Sequence, residues 1–344
     1  MTKALIGIGD IHLRSKNYYK TGLKAFLDWF NKTFPDERRE ETEIVIAGDV
    51  LNKVAMLPFV AASTVNLFET LHKKAKNVYV ILGNHDYGMS KYKVINTKDF
   101  LEKEGAIVID TLCEYTTELG FKLLCLPWMY GTTHRQVNAF IESLDPNTEY
   151  DACTAHWELE SLFNSDFVDL SKVNAKSFMC GHIHQHGVNS KYLGSILPNA
   201  IVEDKEKDPS VVKMLLKNDE NGKFKEQVIA IPSFLKLKSV KIENLTDLSN
   251  LEKAENCFYK VLHTRLLNEK DIKSQAKLSG VNIYSCERVE EEKAVGDIDL
   301  SDSLENVKEY TTQSHIEILE KYKDKLQLAA DVYNICLQAV RDVA

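Results

Sequence analysis

Ala4-Leu5-Ile6-Gly7-Ile8-Gly9-Asp10-Ile11-His12 is an apolar run that stops at a glycine and hands over to an aspartate and a histidine. A short continuous run of this kind suits a strand buried on both faces, as in a sheet packed between two layers. The same grammar recurs along the chain. Ile44-Val45-Ile46-Ala47 leads into Gly48-Asp49, and Val78-Tyr79-Val80-Ile81-Leu82 leads into Gly83-Asn84-His85-Asp86. Ala152-Cys153-Thr154-Ala155 leads into His156-Trp157-Glu158, and Ser177-Phe178-Met179-Cys180 into Gly181-His182-Ile183-His184. Leu123-Leu124-Cys125-Leu126 is a further run of the same type. Between the first three runs lie stretches with helical spacing, Leu23, Phe26, Leu27 and Phe30, then Val60, Val65, Leu67, Phe68 and Leu71. Strand alternating with helix predicts an α/β fold. The metal-binding and acid/base side chains all follow a strand's last apolar residue, where open α/β sheets bind ligands because loops converge there on rigid supports. Glycines 9, 48, 83 and 181 allow tight exits and a close approach of backbone to a metal or phosphate.

At 344 residues the chain has room for one large α/β domain and a smaller one. A hydrophobic content of 44% and a charged content of 27% are those of a globular protein. No apolar run approaches the roughly 18 residues of a membrane span. The N-terminus enters a strand at once, with no charged-then-apolar leader, so the expectation is a soluble cytoplasmic protein without a membrane partner. Cysteines 113, 125, 153, 180, 257, 286 and 336 form no Cys-x-x-Cys pair and are expected as buried free thiols of a reducing compartment.

The five motifs, in this order, resemble the calcineurin-like metallophosphoesterases, which split phosphate esters with two metal ions. Within that superfamily the chain resembles the SbcD-type DNA repair nucleases, and among them the small subunit of the T4-like phage recombination endonuclease. Those proteins open with the Asp-x-His strand, place Gly-Asn-His-Asp about one βαβ unit after Gly-Asp, and finish with Gly-His-x-His. The phage flavour is carried by Leu126-Pro127-Trp128-Met129, His156-Trp157-Glu158-Leu159 and Tyr192-Leu193-Gly194-Ser195. The resemblance is specific over about residues 4 to 200 and looser beyond. It implies a four-layer αββα sandwich with a small α+β capping domain and C-terminal helices.

Phosphodiesters resist hydrolysis because attack builds charge on an already anionic phosphorus and needs a hydroxide that is scarce at neutral pH. Two bridged metals lower the pKa of bound water and clamp the attacking and leaving oxygens, at a separation of about 3.5–4 Å. The resemblance assigns Asp10, His12 and His184 to one ion, Asn84, His156 and His182 to the other, and Asp49 to both. Asp10 and His12 are two apart, so an extended backbone would set them on one face. His182 and His184 would share a face likewise, although the family puts them on different ions. The ligand set holds nitrogen and oxygen and no thiolate, which disfavours a structural zinc site and suits Mn²⁺ or a similar divalent ion. The resemblance favours Mn²⁺. It also places His85 at the scissile phosphate, to stabilise the transition state or protonate the leaving oxygen, with Asp86 orienting that ring. Trp157 and Glu158 read as packing and supporting residues, and His72, His134, His263 and His315 as ordinary polar histidines. His186, two past His184, could support the site. One departure stands out, because SbcD-type nucleases follow the second motif with Phe and then an acid or His, whereas this chain has Val50-Leu51-Asn52. Asn52 cannot exchange a proton.

Residues 1–232 are expected to form the nuclease domain and 233–289 the capping, DNA-binding domain. In the latter, Ser239–Ile242, Cys257–Leu262 and Val281–Tyr284 read as strands and Asn268–Leu278 as a helix. Residues 290–302 read as an acidic linker. Residues 303–344 read as a helical partner-binding segment, with Ser314 and Glu317 as a capping box and an apolar seam at Ile316, Leu319, Leu326, Ala330, Tyr333, Leu337 and Val340. The resemblance implies DNA as substrate, a partner SbcC-like coiled-coil ATPase, and a homodimer within a heterotetramer. A net charge of −8 without a dense basic run argues against a freestanding DNA binder and for affinity borrowed from metals, local patches and that partner. No ATP-binding Gly-x-x-x-x-Gly-Lys loop occurs in the chain itself. The rivals are a phosphoprotein phosphatase or nucleotide phosphodiesterase on the same scaffold, and a metal-free scaffold. The phosphatase pattern Gly-Asp-x-x-Asp-Arg-Gly with Gly-Asn-His-Glu is broken at Asn52-Lys53-Val54 and at Asp86, and degenerate members lose ligands that this chain keeps.

Overall fold

The computed structural model describes residues 2–289 except 15, 53–57, 88–96, 162–165, 200–202, 204, 219, 221 and 264–266. The acidic linker and helical segment expected over 290–344 lie outside the described residues, as do Cys336 and His315.

The opening apolar run is buried throughout because β1 (Thr2–Ile8) has a core on each face. Ile6 and Ile8 join the cluster under α1 (Asn17–Thr33) and α2 (Pro58–Lys74), whereas Leu5 faces the opposite way into a second cluster. Three parallel strands continue the sheet on one side of β1, namely β2 (Thr42–Ile46), β3 (Asn77–Ile81) and β4 (Ile107–Ile109). They alternate in the same way, Ile44, Ile46, Val78 and Val80 to the helices, Val45, Tyr79 and Ile81 away from them. A short helix, α3 (Thr97–Lys103), precedes β4.

What lies across the second cluster is another sheet, ordered β5 (Cys113–Thr116), β6 (Lys122–Leu126), β7 (Tyr150–Ala155), β8 (Ala175–Phe178). Strands β6 to β8 are parallel and β5 is antiparallel. Leu123, Cys125 and Ala152 meet the first sheet, while Leu124, Leu126, Cys153 and Ala155 face the helix α4 (His134–Ser143). Helix, sheet, sheet, helix is therefore the layer order, and the α/β sandwich expected from the sequence is the architecture found. The carboxyl ends of β1, β2, β3, β7 and β8 carry the motif loops.

The first sheet is completed by two antiparallel strands that the apolar pattern did not reveal, β9 (Val211–Asn218) beside β1 and β10 (Phe224–Ala230) beside β9. Lys213 interrupts β9's apolar pattern. The lysine is buried, and its Nζ donates to the Phe178 and Ser190 carbonyls, each at 2.7 Å. Burial pulls its pKa below the ordinary lysine range. It thus ties the first sheet to the segment that leads into Gly181-His182.

β11 (Lys236–Ile242), β12 (Cys257–His263) and β13 (Asn282–Arg288) form a separate parallel sheet with its own core against α5 (Glu269–Ser279). Tyr18 on α1 meets this sheet through Phe258 and Tyr284, with ring centroids at 6.0 and 5.2 Å. Cys125, Cys153, Cys180 and Cys257 are buried free thiols, and Cys113 and Cys286 are half-buried ones. No helix among the described residues is long and apolar enough to cross a membrane.

Replacing Lys213 by Met keeps the aliphatic stem but leaves two carbonyls without their donor. We expect a loss of about 2 kcal/mol, the usual penalty for unpaired polar groups, seen as a lower urea midpoint at unchanged slope.

Candidate active site

The ligand loops are built from unusual backbone. His12, Asp49 and His182 have φ of 52°, 50° and 83°, a region that non-glycine residues adopt at a cost of about 1–3 kcal/mol each. These are the three non-glycine residues with positive φ among the described residues. The amides of Ile11 and His12 donate to the Asp49 carbonyl at 3.1 and 2.8 Å, which ties the β1 exit to the β2 exit. Asp10 and His12, or His182 and His184, therefore do not share a face of extended backbone as expected. β1 ends at Ile8 and β8 at Phe178, and each pair is set by a left-handed residue in a loop.

The side chains converge in one connected cluster. His12 Nε2 lies 2.9 Å from His184 Nε2. Asn84 Oδ1 lies 3.0 Å from His156 Nε2 and 3.2 Å from His182 Nδ1. Between the two groups stands Asp49, whose Oδ2 is 3.4 Å from His12 Nε2 and 3.3 Å from His156 Nε2. Asp10 Oδ1 accepts the His182 amide at 2.9 Å and lies 3.5 Å from His156 Nδ1, so it contacts the second group as well as following the first strand.

The glycines earn a sharper reason than a close approach to metal or phosphate. A Cβ on Gly48, which has φ of 91°, would fall 2.2 Å from His156 Nδ1. One on Gly83 would fall 2.2 Å from Asp49 Oδ1 and 2.4 Å from the Asp49 amide nitrogen. They make room for the ligand side chains of neighbouring loops.

Residues 4–186 match the family of calcineurin-like phosphoesterases. The chain belongs to that family. A comparison with curated proteins finds no match. The family's chemistry is metal-dependent phosphoester hydrolysis, and the polar cluster lies within the matched span.

The residues of this phosphoesterase fit divalent cations. Asp10 Oδ2 and His12 Nδ1 are buried without a hydrogen-bond partner, which native interiors rarely tolerate. Two imidazole Nε2 atoms 2.9 Å apart, His12 and His184, need a proton or a cation between their lone pairs. His156 donates Nδ1–H to the Ala47 carbonyl at 2.7 Å, and His184 donates Nδ1–H to Glu203 Oε1 at 2.9 Å, so both turn Nε2 inward. Burial drives the Asp10 carboxyl up and the His12 imidazole well down. Burial and the neighbouring His156 charge lower His182 to about 3. Burial opposes charge on His156 too, but the Asp49 carboxylate outweighs it and raises the imidazole to about 9, while Asp49 is held well below the usual carboxylate range. A buried site that balances its charge with protons in this way is one where cations replace those protons on binding. His12, Asp49 and His85 form one group of potential ligand atoms within 4.8 Å of one another, and Asp10, Asp49 and His156 another.

The part expected of Asp86 is corrected. Its two carboxylate oxygens accept the amides of Leu51 and Gly83, each at 3.0 Å, so it braces the loops. Burial and the nearby Asp49 charge raise it to about 7. The His85 ring is oriented instead by the Asn52 carbonyl, which takes its Nδ1–H at 2.9 Å, and the His85 amide donates to Asp49 Oδ1 at 2.8 Å. His186 donates to the Tyr192 carbonyl within its own loop, and Trp157 is buried with Nε1–H on the Pro127 carbonyl. Glu203 and Lys205, which sequence reasoning missed, both act on His184, Lys205 by donating to its carbonyl. Their segment carries no motif, and only a preceding alignment of loops in space would have marked it.

Gly83→Ala sets a methyl against backbone as well as side chain, so relaxation is blocked. The variant is expected to fold but to lose metal affinity by at least about tenfold, the scale seen when ligand orientation is disturbed, as read by calorimetry. Wild-type affinity would show that the cluster tolerates displacement of Asp49.

Proposed function

We propose that this phosphoesterase is a Mn²⁺-dependent DNA exonuclease and endonuclease of the SbcD type, working with an SbcC-like coiled-coil ATPase in double-strand-break repair and recombination. The observation that carries the reading is the cleft in which β11 adjoins the metal-ligand supports. It is lined by Lys236, Leu237 and Lys238 on one side and by Glu203 and Lys205 on the other, so the residues that brace His184 also border the three-stranded module. A module beside the site suits a polymeric substrate better than a small monoester. The intact Gly-Asn-His-Asp motif and the broken phosphatase pattern at Asn52-Lys53-Val54 support the same choice.

In this reading Asp10, His12 and His184 hold one ion, Asn84, His156 and His182 the other, and Asp49 serves both. When bound, the ions supply an activated water and neutralise charge on the phosphate. His85 keeps Nδ1–H on the Asn52 carbonyl and so presents Nε2 toward the cluster, where it stabilises the transition state or gives a proton to the leaving 3′ oxygen. Asp86 holds the Leu51 and Gly83 amides in place beneath it. In this reading residues 290–302 are a linker and residues 303–344 the ATPase-binding segment, with Leu326 and Tyr333 as anchors.

Wild-type protein is expected to cleave linear duplex DNA with Mn²⁺ in preference to p-nitrophenyl phosphate, and not with chelator. Preference for the monoester would favour the phosphatase reading. His85→Ala should lower turnover by roughly 10²–10⁴-fold, the range of general acid–base catalysis, with Mn²⁺ affinity unchanged by calorimetry. Loss of both together would make His85 a ligand. Removing residues 303–344 should spare basal Mn²⁺-dependent cleavage and abolish co-purification with the ATPase. A truncated chain that still bound the ATPase with full affinity would rule out that role for the segment.

A further inference from the structure

We infer that Arg14 is a positioning residue for this hydrolase, a single guanidinium that fixes the loops holding His12, His85 and His184. The inference rests on the family's phosphoester hydrolysis and not on DNA as the substrate. Arg14 follows the first motif by two residues, and its Nε donates to the His12 carbonyl at 3.3 Å. Its Nη2 donates to Asn52 Oδ1 at 2.9 Å and also to Asn199 Oδ1. Nη1 reaches the Tyr18 hydroxyl at 3.5 Å, and the guanidinium carbon lies 5.7 Å from the Tyr19 ring centroid, a cation–π distance.

Each of the three loops it touches governs an imidazole. The His12 carbonyl belongs to the left-handed residue itself. Asn52 accepts the His85 Nδ1–H on its main-chain oxygen, so holding the Asn52 side chain holds the carbonyl that aims His85. The Asn199 backbone N–H donates to Glu203 Oε2 at 2.9 Å, and Glu203 Oε1 takes the His184 Nδ1–H. The rings so governed touch one another. The His12 centroid is 4.9 Å from that of His85 and 4.7 Å from that of His184. Nε on the His12 carbonyl and Nη2 on the Asn52 and Asn199 oxygens are separate donors of one planar group, a spread that arginine supplies and the single Nζ of lysine does not. This gives Asn52 a purpose that proton exchange would not. It is a side-chain acceptor for Arg14 and a main-chain carbonyl for His85, so one residue links the two.

The test compares Arg14→Gln, Arg14→Lys, Asn52→Leu and the Arg14→Gln/Asn52→Leu double variant. One readout is the histidine Nδ1–H signals of metal-free, histidine-labelled protein, with the His85 signal identified by its absence in His85→Ala. The other is steady-state hydrolysis of bis(p-nitrophenyl) phosphate at saturating Mn²⁺. We expect the His85 signal to broaden or shift in all four variants, with kcat down by about 10–100-fold, as for other residues that orient a site, and KM within about twofold. The double variant should be no worse than either single one. Arg14→Lys should not rescue. An unchanged His85 signal overturns the inference, as does additivity of the two substitutions. A loss confined to KM overturns it too, by making Arg14 a substrate-binding group. Should Arg14→Gln fail to fold, Asn52→Leu decides alone. Absence of wild-type hydrolysis would count against the choice of phosphodiester substrate, while the imidazole signals would still decide the role of Arg14.

Discussion

Asp49 Oδ2 lies 3.4 Å from the His12 Nε2 and 3.3 Å from the His156 Nε2, and those two imidazoles come from different sheets. One carboxylate oxygen therefore spans the seam of the sandwich. Its position requires the β2 exit loop to turn sharply at a left-handed Asp49 and the β3 exit loop to approach within the radius that Gly83 permits. It requires also that the two sheets hold a constant separation, which the core of Leu5, Val45, Tyr79, Phe121, Leu123 and Ala152 maintains. Displacing any of these moves the shared oxygen relative to one imidazole or the other.

Burial makes that position costly and useful at once. Carboxylates and imidazoles removed from water pay a desolvation penalty that only paired charge can offset. In the chain alone, protons provide the pairing, and the result is a raised His156 and a depressed Asp49. The left-handed backbone at His12, Asp49 and His182 adds conformational strain at the same three places. Strain concentrated at candidate ligand residues is what a site held for function and not for stability presents. The surrounding hydrogen bonds keep it from relaxing. Asp86 bridges Leu51 and Gly83, Lys213 bridges Phe178 and Ser190, and Glu203 fixes His184.

The three-stranded module adds a different element. It has its own core between its sheet and α5, and it meets the sandwich through Tyr18, which sits four residues beyond Arg14 on the helix that follows the first motif. The same short segment of chain thus carries His12, Arg14 and the contact with the module. That continuity offers a physical route by which the module's placement and the geometry of His12 depend on each other.

Much of this was legible in the residues. The doubly buried runs ending in Gly-Asp, Gly-Asn-His-Asp and Gly-His-x-His announced strands with chemistry at their carboxyl ends, because a strand's apolar pattern and its exit residues are local properties of the chain. The strands of the three-stranded module and its helix were readable for the same reason. β9 was not, since a buried Lys213 hides it, and the lysine makes sense only once the Phe178 and Ser190 carbonyls are beside it. Extended-strand spacing does not describe Asp10 and His12, because β1 ends at Ile8 and His12 itself has left-handed backbone. Asp86 was given the wrong neighbour, and Glu203 and Arg14 were overlooked. By itself the sequence determined which side chains could bind metal and in which layers they would stand. Tertiary structure alone decided which of them share an oxygen, which carbonyl aims His85 and which cation ties the loops together, because those contacts join residues 33 to 185 positions apart and depend on how two sheets pack, which no local pattern encodes.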